Sequence, residues 1–267
     1  MIQQSTDRED ATDVSRSAAQ DGYGGAGIAA GPTPNDELIL RERGNVAWGN
    51  LAANLYFLRC AAISPGANIL EIGCGKGSLL NHLQLAGYAV HGVDLDRDAL
   101  SSCRAQHPDA SVCVASGDAL PFPSGAFDAV VSFDVFEHIK GSDLHLAEVR
   151  RILRPGGRYL LQTPNKWTNI PFELIRQWKK FHTGPIESYR EIIKDHCALH
   201  NYWELQRRFA RNGFDITFFD VPVVNDYFKE KMRTYLGAVG PWLIGVFNPD
   251  HLPRPLRTNF YAVASLR

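Results

Sequence analysis

The segment Ile69-Leu70-Glu71-Ile72-Gly73-Cys74-Gly75-Lys76-Gly77-Ser78 has the clearest chemical potential in this chain. A short apolar run meets three glycines at alternate positions, and helical text begins at Ser78. Glycine lets backbone turn tightly and approach a ligand, and a helix start behind it offers free N–H groups and a positive dipole end. Such a loop suits a carboxylate or a phosphate. Asp94 closes a second apolar run, twenty-one residues after Gly73, where an acid can accept both hydroxyls of a ribose. Lys76 is followed by Gly77, which excludes a Walker loop, and the third glycine falls one position too early for the GxGxxG dinucleotide fingerprint.

The elements that must position these groups can be read from periodicity. Apolar runs bounded by turn residues predict strands at 68–73, 89–93, 111–115, 127–133, 158–163, 214–221 and 260–264. Helical spacing predicts helices at 78–85, 97–107, 143–153, 202–211 and mainly over 226–246, with one or two more in 36–63. Asp96 is placed to cap the helix starting at residue 97. Strand and helix alternating at this interval imply an α/β fold with a parallel sheet and right-handed crossovers.

In its glycine-loop spacing and in the motifs downstream of that loop, the sequence resembles the class I S-adenosylmethionine-dependent methyltransferases, and within them the ubiquinone-biosynthesis-type small-molecule group. The resemblance runs from the glycine loop through Gly92-Val93-Asp94-Leu95-Asp96, Gly117-Asp118-Ala119-Leu120-Pro121-Phe122 and Phe127 to His138, and ends at Arg151-Ile152-Leu153-Arg154-Pro155-Gly156-Gly157. It covers roughly residues 64–165. It implies a Rossmann-like, seven-stranded, mostly parallel sheet with helices on both faces and an antiparallel last strand. It also implies an N-terminal helical cap (37–63), a cofactor core (64–163), a lid insertion after strand five (164–201) and a C-terminal part of the sheet with a helical insertion (202–267). The cofactor implied is S-adenosylmethionine, released as S-adenosylhomocysteine. By the same resemblance Glu71, Gly73, Cys74, Gly75 and Gly77 form its loop, Asp94 holds its ribose, Leu95 lies against its adenine, Asp118 and Ala119 meet the adenine edge, Phe133 lines the methionine end and Trp48 covers the site. The family commonly has a small or hydroxylated residue at position 76; Lys76 reaches the cofactor carboxylate or points into water. Cys74 reads as a small space-filler.

A sulfonium methyl is already electrophilic, so the protein must place the acceptor in line and, for a hydroxyl, remove a proton. His138, just past the fourth strand, is the first candidate base, with a helix-start role as its alternative; Asp134 is the second, with a capping role as its alternative. Trp167, His182, Tyr189, His196 and His200 in the lid are candidate substrate contacts. One helical face could present His196 and His200 to a metal, but no third ligand is evident and no metal is expected. The expected reaction is methyl transfer to a hydroxyl oxygen of a sugar, polyketide-like or isoprenoid/lipid-like small molecule. N- or C-methylation, a catalytically inactive cofactor-binding partner protein and a nicotinamide oxidoreductase are the alternatives.

Composition bounds these readings. With 267 residues, 45% of them hydrophobic and 21% charged, the chain can bury a core without staples. A net charge of -1 argues against nucleic acid as the main partner. Five scattered cysteines without a CxxC pair read as reduced thiols, hence a cytoplasmic protein. Residues 1–36, rich in Gly, Ser, Asp and Gln, read as a disordered tail without an export signal. Leu236 to Phe247 is too short for a membrane span of roughly 20 residues. The basic residues Lys229, Lys231 and Arg233 before it leave interfacial membrane contact as a lesser reading beside packing on the chain's own domain. A homo-oligomer is compatible with the sequence.

Overall fold

The computed structural model describes residues 49–170, 196–224 and 226–267. Seven strands form one sheet in the order β3-β2-β1-β4-β5-β7-β6. They are β1 (Asn68–Ile72), β2 (Ala89–Asp94), β3 (Ser111–Val114), β4 (Phe127–Phe133), β5 (Leu153–Pro164), β6 (Phe214–Phe219) and β7 (Asn259–Leu266). The first five run parallel, while β7 is antiparallel to both β5 and β6. The helices are α1 (Gly49–Cys60), α2 (Ser78–Leu85), α3 (Arg97–Gln106), α4 (Ser142–Ile152), α5 (Tyr202–Arg211), α6 (Asp226–Leu236) and α7 (Val239–Val246).

Strand periodicity sorts the core into two layers. Ile69, Ala129, Val131, Leu160, Tyr261 and Val263 belong to one cluster, with Phe57 of α1 and Leu80 of α2. Leu70, Ile72, Val130, Tyr159, Leu161 and Ala262 belong to the other, with Leu146 and Val149 of α4 and Leu205 and Phe209 of α5. Alternate residues of one strand thus face opposite helical layers. Strands buried on both faces read as continuous apolar runs, which made them visible in the sequence. On α1, Phe57 sets its ring edge-on to Phe133, Phe219 and Tyr261 at 5.4–6.0 Å. Arg158 donates to the carbonyls of Ala61 and Ala62 at 2.6 and 2.8 Å, fixing that helix's C-terminal end to β5.

The structure departs most from the sequence expectation in two places. β5 begins at Leu153 instead of Arg158, because Leu153 pairs with Phe127 before a register shift, with Gly156 in the left-handed region at φ 79. The 226–246 segment is two helices, broken where Gly237 takes φ 63. Among the described residues no helix is long and apolar enough to cross a membrane.

β1 lies between β2 and β4, so the chain reverses its direction of growth there, and open α/β sheets bind ligands at the carboxyl ends of such strands. Gly73 comes directly after β1, and Asp94 and Asp134 stand at the ends of β2 and β4. The topology therefore gathers the sequence's candidate residues along one edge.

Candidate functional site

The three loop glycines all take left-handed backbone: φ is +77 at Gly73, +50 at Gly75 and +80 at Gly77. Each is constrained differently. A β-carbon on Gly73 would lie 2.2 Å from the Val135 side chain, and one on Gly77 would lie 2.5 Å from Cys103 Sγ. At Gly75 a β-carbon would meet nothing within 4 Å. The outer two glycines thus let the loop pack on its neighbours, while Gly75 borders open space. Cys74 is buried; its Sγ would lie 2.7 Å from a β-carbon on Gly92, and burial pushes its thiol well above the usual range. That environment matches a space-filler and leaves no reactive thiolate. Lys76 is exposed.

Asp94 ties the loop to β2. Its Oδ2 accepts from Gly75 N–H at 2.8 Å and its Oδ1 from Asp96 N–H at 2.9 Å. Asp96 in turn accepts from Asp98 and Ala99 N–H, capping α3 as its spacing implied. Leu95 is exposed beside them. Beneath the loop Glu71 is buried, and burial, reinforced by the Asp94 charge, raises its pKa to about 8. Its Oε2 has no hydrogen-bond partner. A buried carboxylate oxygen without a donor is costly unless a ligand supplies one. The open space over Gly75 and the unmet Glu71 oxygen both fit a cofactor with an amino group, such as the amino-acid end of S-adenosylmethionine.

The Gly117–Ala119 turn is held from below. Arg151 donates to the carbonyls of Leu120 and Phe122 at 3.0 and 2.6 Å, and Glu148 accepts from Leu120 N–H at 2.8 Å. His145, fully buried, bonds Gly117 O through Nδ1 at 2.7 Å and Tyr159 OH through Nε2 at 2.9 Å; Tyr159 OH meets Ser132 Oγ at 2.6 Å. The carbonyl must accept, so Nδ1 carries the proton and Nε2 accepts from Tyr159. Burial lowers the pKa of His145 to about 4, which keeps it neutral. Asp118 accepts from Ser116 Oγ, and Ala119 is exposed beside it.

The carboxyl end of β4 supplies the remaining groups. Asp134 adopts φ +55, rare for a residue with a side chain. Gln162, buried on β5, holds it there: Gln162 Oε1 accepts from Asp134 N–H at 2.8 Å, and its Nε2 donates to Asp134 Oδ1 at 3.0 Å. Backbone strain held by its surroundings is common where a side chain must be aimed. Phe133 is half-buried with its ring on Phe57. His138 ends a 3-10 turn (Phe136–His138), half-exposed, with Nε2 4.0 Å from Glu137 Oε1. Glu137 is buried and accepts from Thr163 Oγ1 at 3.0 Å; burial first, then the Asp134 charge, raises its pKa to about 8. A carboxyl that keeps its proton at neutral pH beside an exposed imidazole can take part in proton transfer. The sequence reading missed Glu137. Its only signal was an acid set between Phe136 and His138 directly after a buried strand.

Residues 196–200 form a turn, so no helical face presents His196 and His200 together. His196 points back to His138, with ring centroids 4.9 Å apart, whereas His200 is buried against Phe136 at 5.5 Å. The turn is tied down by Ala198 N–H donating to Glu137 O at 2.8 Å. Glu137, His138 and His196 consequently place one possible ligand atom each within 4.8 Å of one another. Donor atoms on one zinc ion sit about 3.4 Å apart, so this set must contract to hold a cation. Trp167 is tilted against Trp203, with ring centroids 5.2 Å apart. Trp48, His182 and Tyr189 lie outside the described residues.

Comparison with known proteins agrees with this geometry. Residues 70–161 match the methyltransferase domain family. A fatty-acid O-methyltransferase of Mycolicibacterium smegmatis is 38% identical over 112 residues, covering 40% of each chain. A ubiquinone biosynthesis O-methyltransferase of Chromobacterium violaceum is 30% identical over 117 residues, 42% of this chain and 50% of that one. The chain thus spans half or less of these relatives' length. An S-adenosylmethionine-dependent methyltransferase from Mesorhizobium loti shares the fold, with a TM-score of 0.53 at 18% identity over 83% of this chain and 98% of that one. Over residues 70–161 the chain thus carries a methyltransferase domain, with the fold and loop geometry of the class I S-adenosylmethionine-dependent type.

Proposed function

We propose that this protein transfers the methyl group of S-adenosylmethionine to a hydroxyl or carboxylate oxygen of a small, lipid-like acceptor. The observation that carries the reading is the cradle at Gly75, with open space above it, Asp94 at its side and the unmet Glu71 oxygen beneath. When bound, the cofactor supplies a methyl group on a positively charged sulfur. The chain's part is to hold that cofactor and bring an acceptor oxygen into line. In this reading Gly73, Cys74, Gly75 and Gly77 form the loop, and Glu71 accepts from the cofactor's amino group. Asp94 keeps lone pairs for ribose hydroxyls beyond the two N–H groups it already accepts from. Leu95, Asp118 and Ala119 border the base, Phe133 lies at the methionine end, and Trp48 closes the site. His138 takes the acceptor proton, with Asp134 aimed at the same edge and Glu137 behind it. His182, Tyr189 and His196 contact the acceptor.

The oxygen acceptor is supported by the imidazole and carboxyl groups gathered at the end of β4, which a sulfonium alone does not require. A lipid-like acceptor is supported by the fatty-acid O-methyltransferase among the relatives. A cytoplasmic location and the absence of a nucleic-acid partner belong to the same proposal. Incubation with methyl-labelled S-adenosylmethionine and separate fatty acids, hydroxylated lipids, phenols and sugars tests it. Label on an oxygen of a lipid or phenol supports the reading; label on nitrogen or carbon overturns its acceptor half.

A further inference from the structure

The N-terminal end of α4, one face of α5 and residues 197–200 enclose a cleft of about 610 Å³. The arginines along it come from the polar face of an amphipathic helix: α5 buries Leu205 and Phe209 and turns Arg207, Arg208 and Arg211 outward. With Lys140 and Lys166 they give the cleft five cationic side chains against two acids, Asp143 and Glu204. The acids are already taken, Asp143 by Arg208 at 2.8 Å and Glu204 by Lys166 at 3.2 Å. Lys140, Arg207 and Arg211 have no carboxylate within 4.0 Å among the described residues. In a chain of net charge -1, that local excess is a departure from the whole.

His200 lines the cleft, but its ring is already hydrogen-bonded to the Ala198 backbone. One further observation points to a ligand. Ser142 and Asp143, the first residues of α4, also line the cleft, and Gly141 before them gives no side-chain cap. The helix therefore presents its positive end there.

We propose that this cleft is a binding site for a phosphate ester, its phosphate held by Arg207, Arg211 and Lys140 at the N-terminus of α4. Guanidinium groups match phosphate oxygens in pairs, which favours phosphate over a single carboxylate. The cleft shares its 197–200 wall with the turn bonded to Glu137 O, so it adjoins the proposed transfer site.

Calorimetric titration of the full chain with pyrophosphate, with S-adenosylhomocysteine present to fill the glycine loop, tests the site without requiring turnover. A failure here leaves the methyl-transfer reading untouched. Saturable binding is expected, weakened roughly tenfold by Arg207→Gln/Arg211→Gln. The same two-charge loss at exposed positions of α3, Arg97→Gln/Arg104→Gln, should leave it unchanged. No saturable binding, equal weakening in both variants, or no weakening in the cleft variant overturns the proposal. A parallel arm separates the sources of phosphate. Co-sedimentation with phosphatidic acid vesicles but not phosphatidylcholine vesicles, lost in the cleft variant, assigns a lipid headgroup; pyrophosphate binding without co-sedimentation assigns a soluble ester.

Discussion

Replacing Gly75 by Ala separates the loop's role in binding from its role in folding. At φ +50 an alanine is strained by about 1–2 kcal/mol, partly offset by the lower entropy of its unfolded chain, for a net cost of about 1 kcal/mol. For a chain of this size that lowers Tm by about 2–4 °C. Its methyl group clashes with nothing in the protein, since no atom lies within 4 Å. It projects instead into the space assigned to the cofactor, where losing about 1.4 kcal/mol of contact weakens binding tenfold. Gly125 is the control, with φ +64, equally open surroundings and a position outside the loop. Gly77→Ala adds a graded comparison, because its methyl group drives into Cys103 Sγ and costs more stability. Thermal unfolding and titration with S-adenosylhomocysteine read both quantities. Gly75→Ala and Gly125→Ala should melt alike while only the first loses at least tenfold in affinity. Equal affinities in the two variants would refute the placement of the cofactor over Gly75.

Further outcomes rest on the buried groups. Glu71 has a folded pKa of about 8, above its unfolded value of about 4.5, so the cofactor-free protein loses stability as pH rises through that interval. Glu71→Gln should remove up to about 1.4 kcal/mol per pH unit of that slope in denaturant titrations; an unchanged slope sinks the assignment. His145, lowered to about 4, acts in the opposite sense: its contribution is full above pH 6.5 and is lost as pH falls toward 4. His145→Leu strands Gly117 O and Tyr159 OH and should cost about 2–3 kcal/mol by chemical denaturation, against near-neutrality if the network carries nothing. His138→Ala should cut turnover about a hundredfold with little change in S-adenosylhomocysteine affinity, and unchanged turnover removes His138 from the chemistry.

Much of the fold and the cofactor loop was legible in the sequence for local reasons. Buried parallel strands leave unbroken apolar runs, and left-handed turns leave glycines, so the loop, Asp94 and the alternation of strands and helices could be read directly. The Asp96 cap was legible because an N-cap acts within three residues. What escaped depends on contacts distant in sequence. The approach of His196 to His138 requires the chain to return across more than fifty residues, and no spacing encodes it. The turn that separates His196 from His200 was no more legible, since Ala198 N–H bonds to Glu137 O sixty-one residues back. Gln162 and Asp134 are held together by a bond between neighbouring strands, and the positive φ of Asp134 has no glycine to announce it. Nothing local marks Glu137 as buried, because Thr163 of β5 and Cys197, which bond to it, lie far off in sequence.

The central claim is tested most directly by titrating the full chain with S-adenosylmethionine and with NAD in parallel, repeated with Asp94→Ala. The expected result is one molecule of S-adenosylmethionine per chain, no competition by NAD, and at least tenfold weaker binding in the variant. Absence of S-adenosylmethionine binding, or tighter binding of NAD, would contradict it.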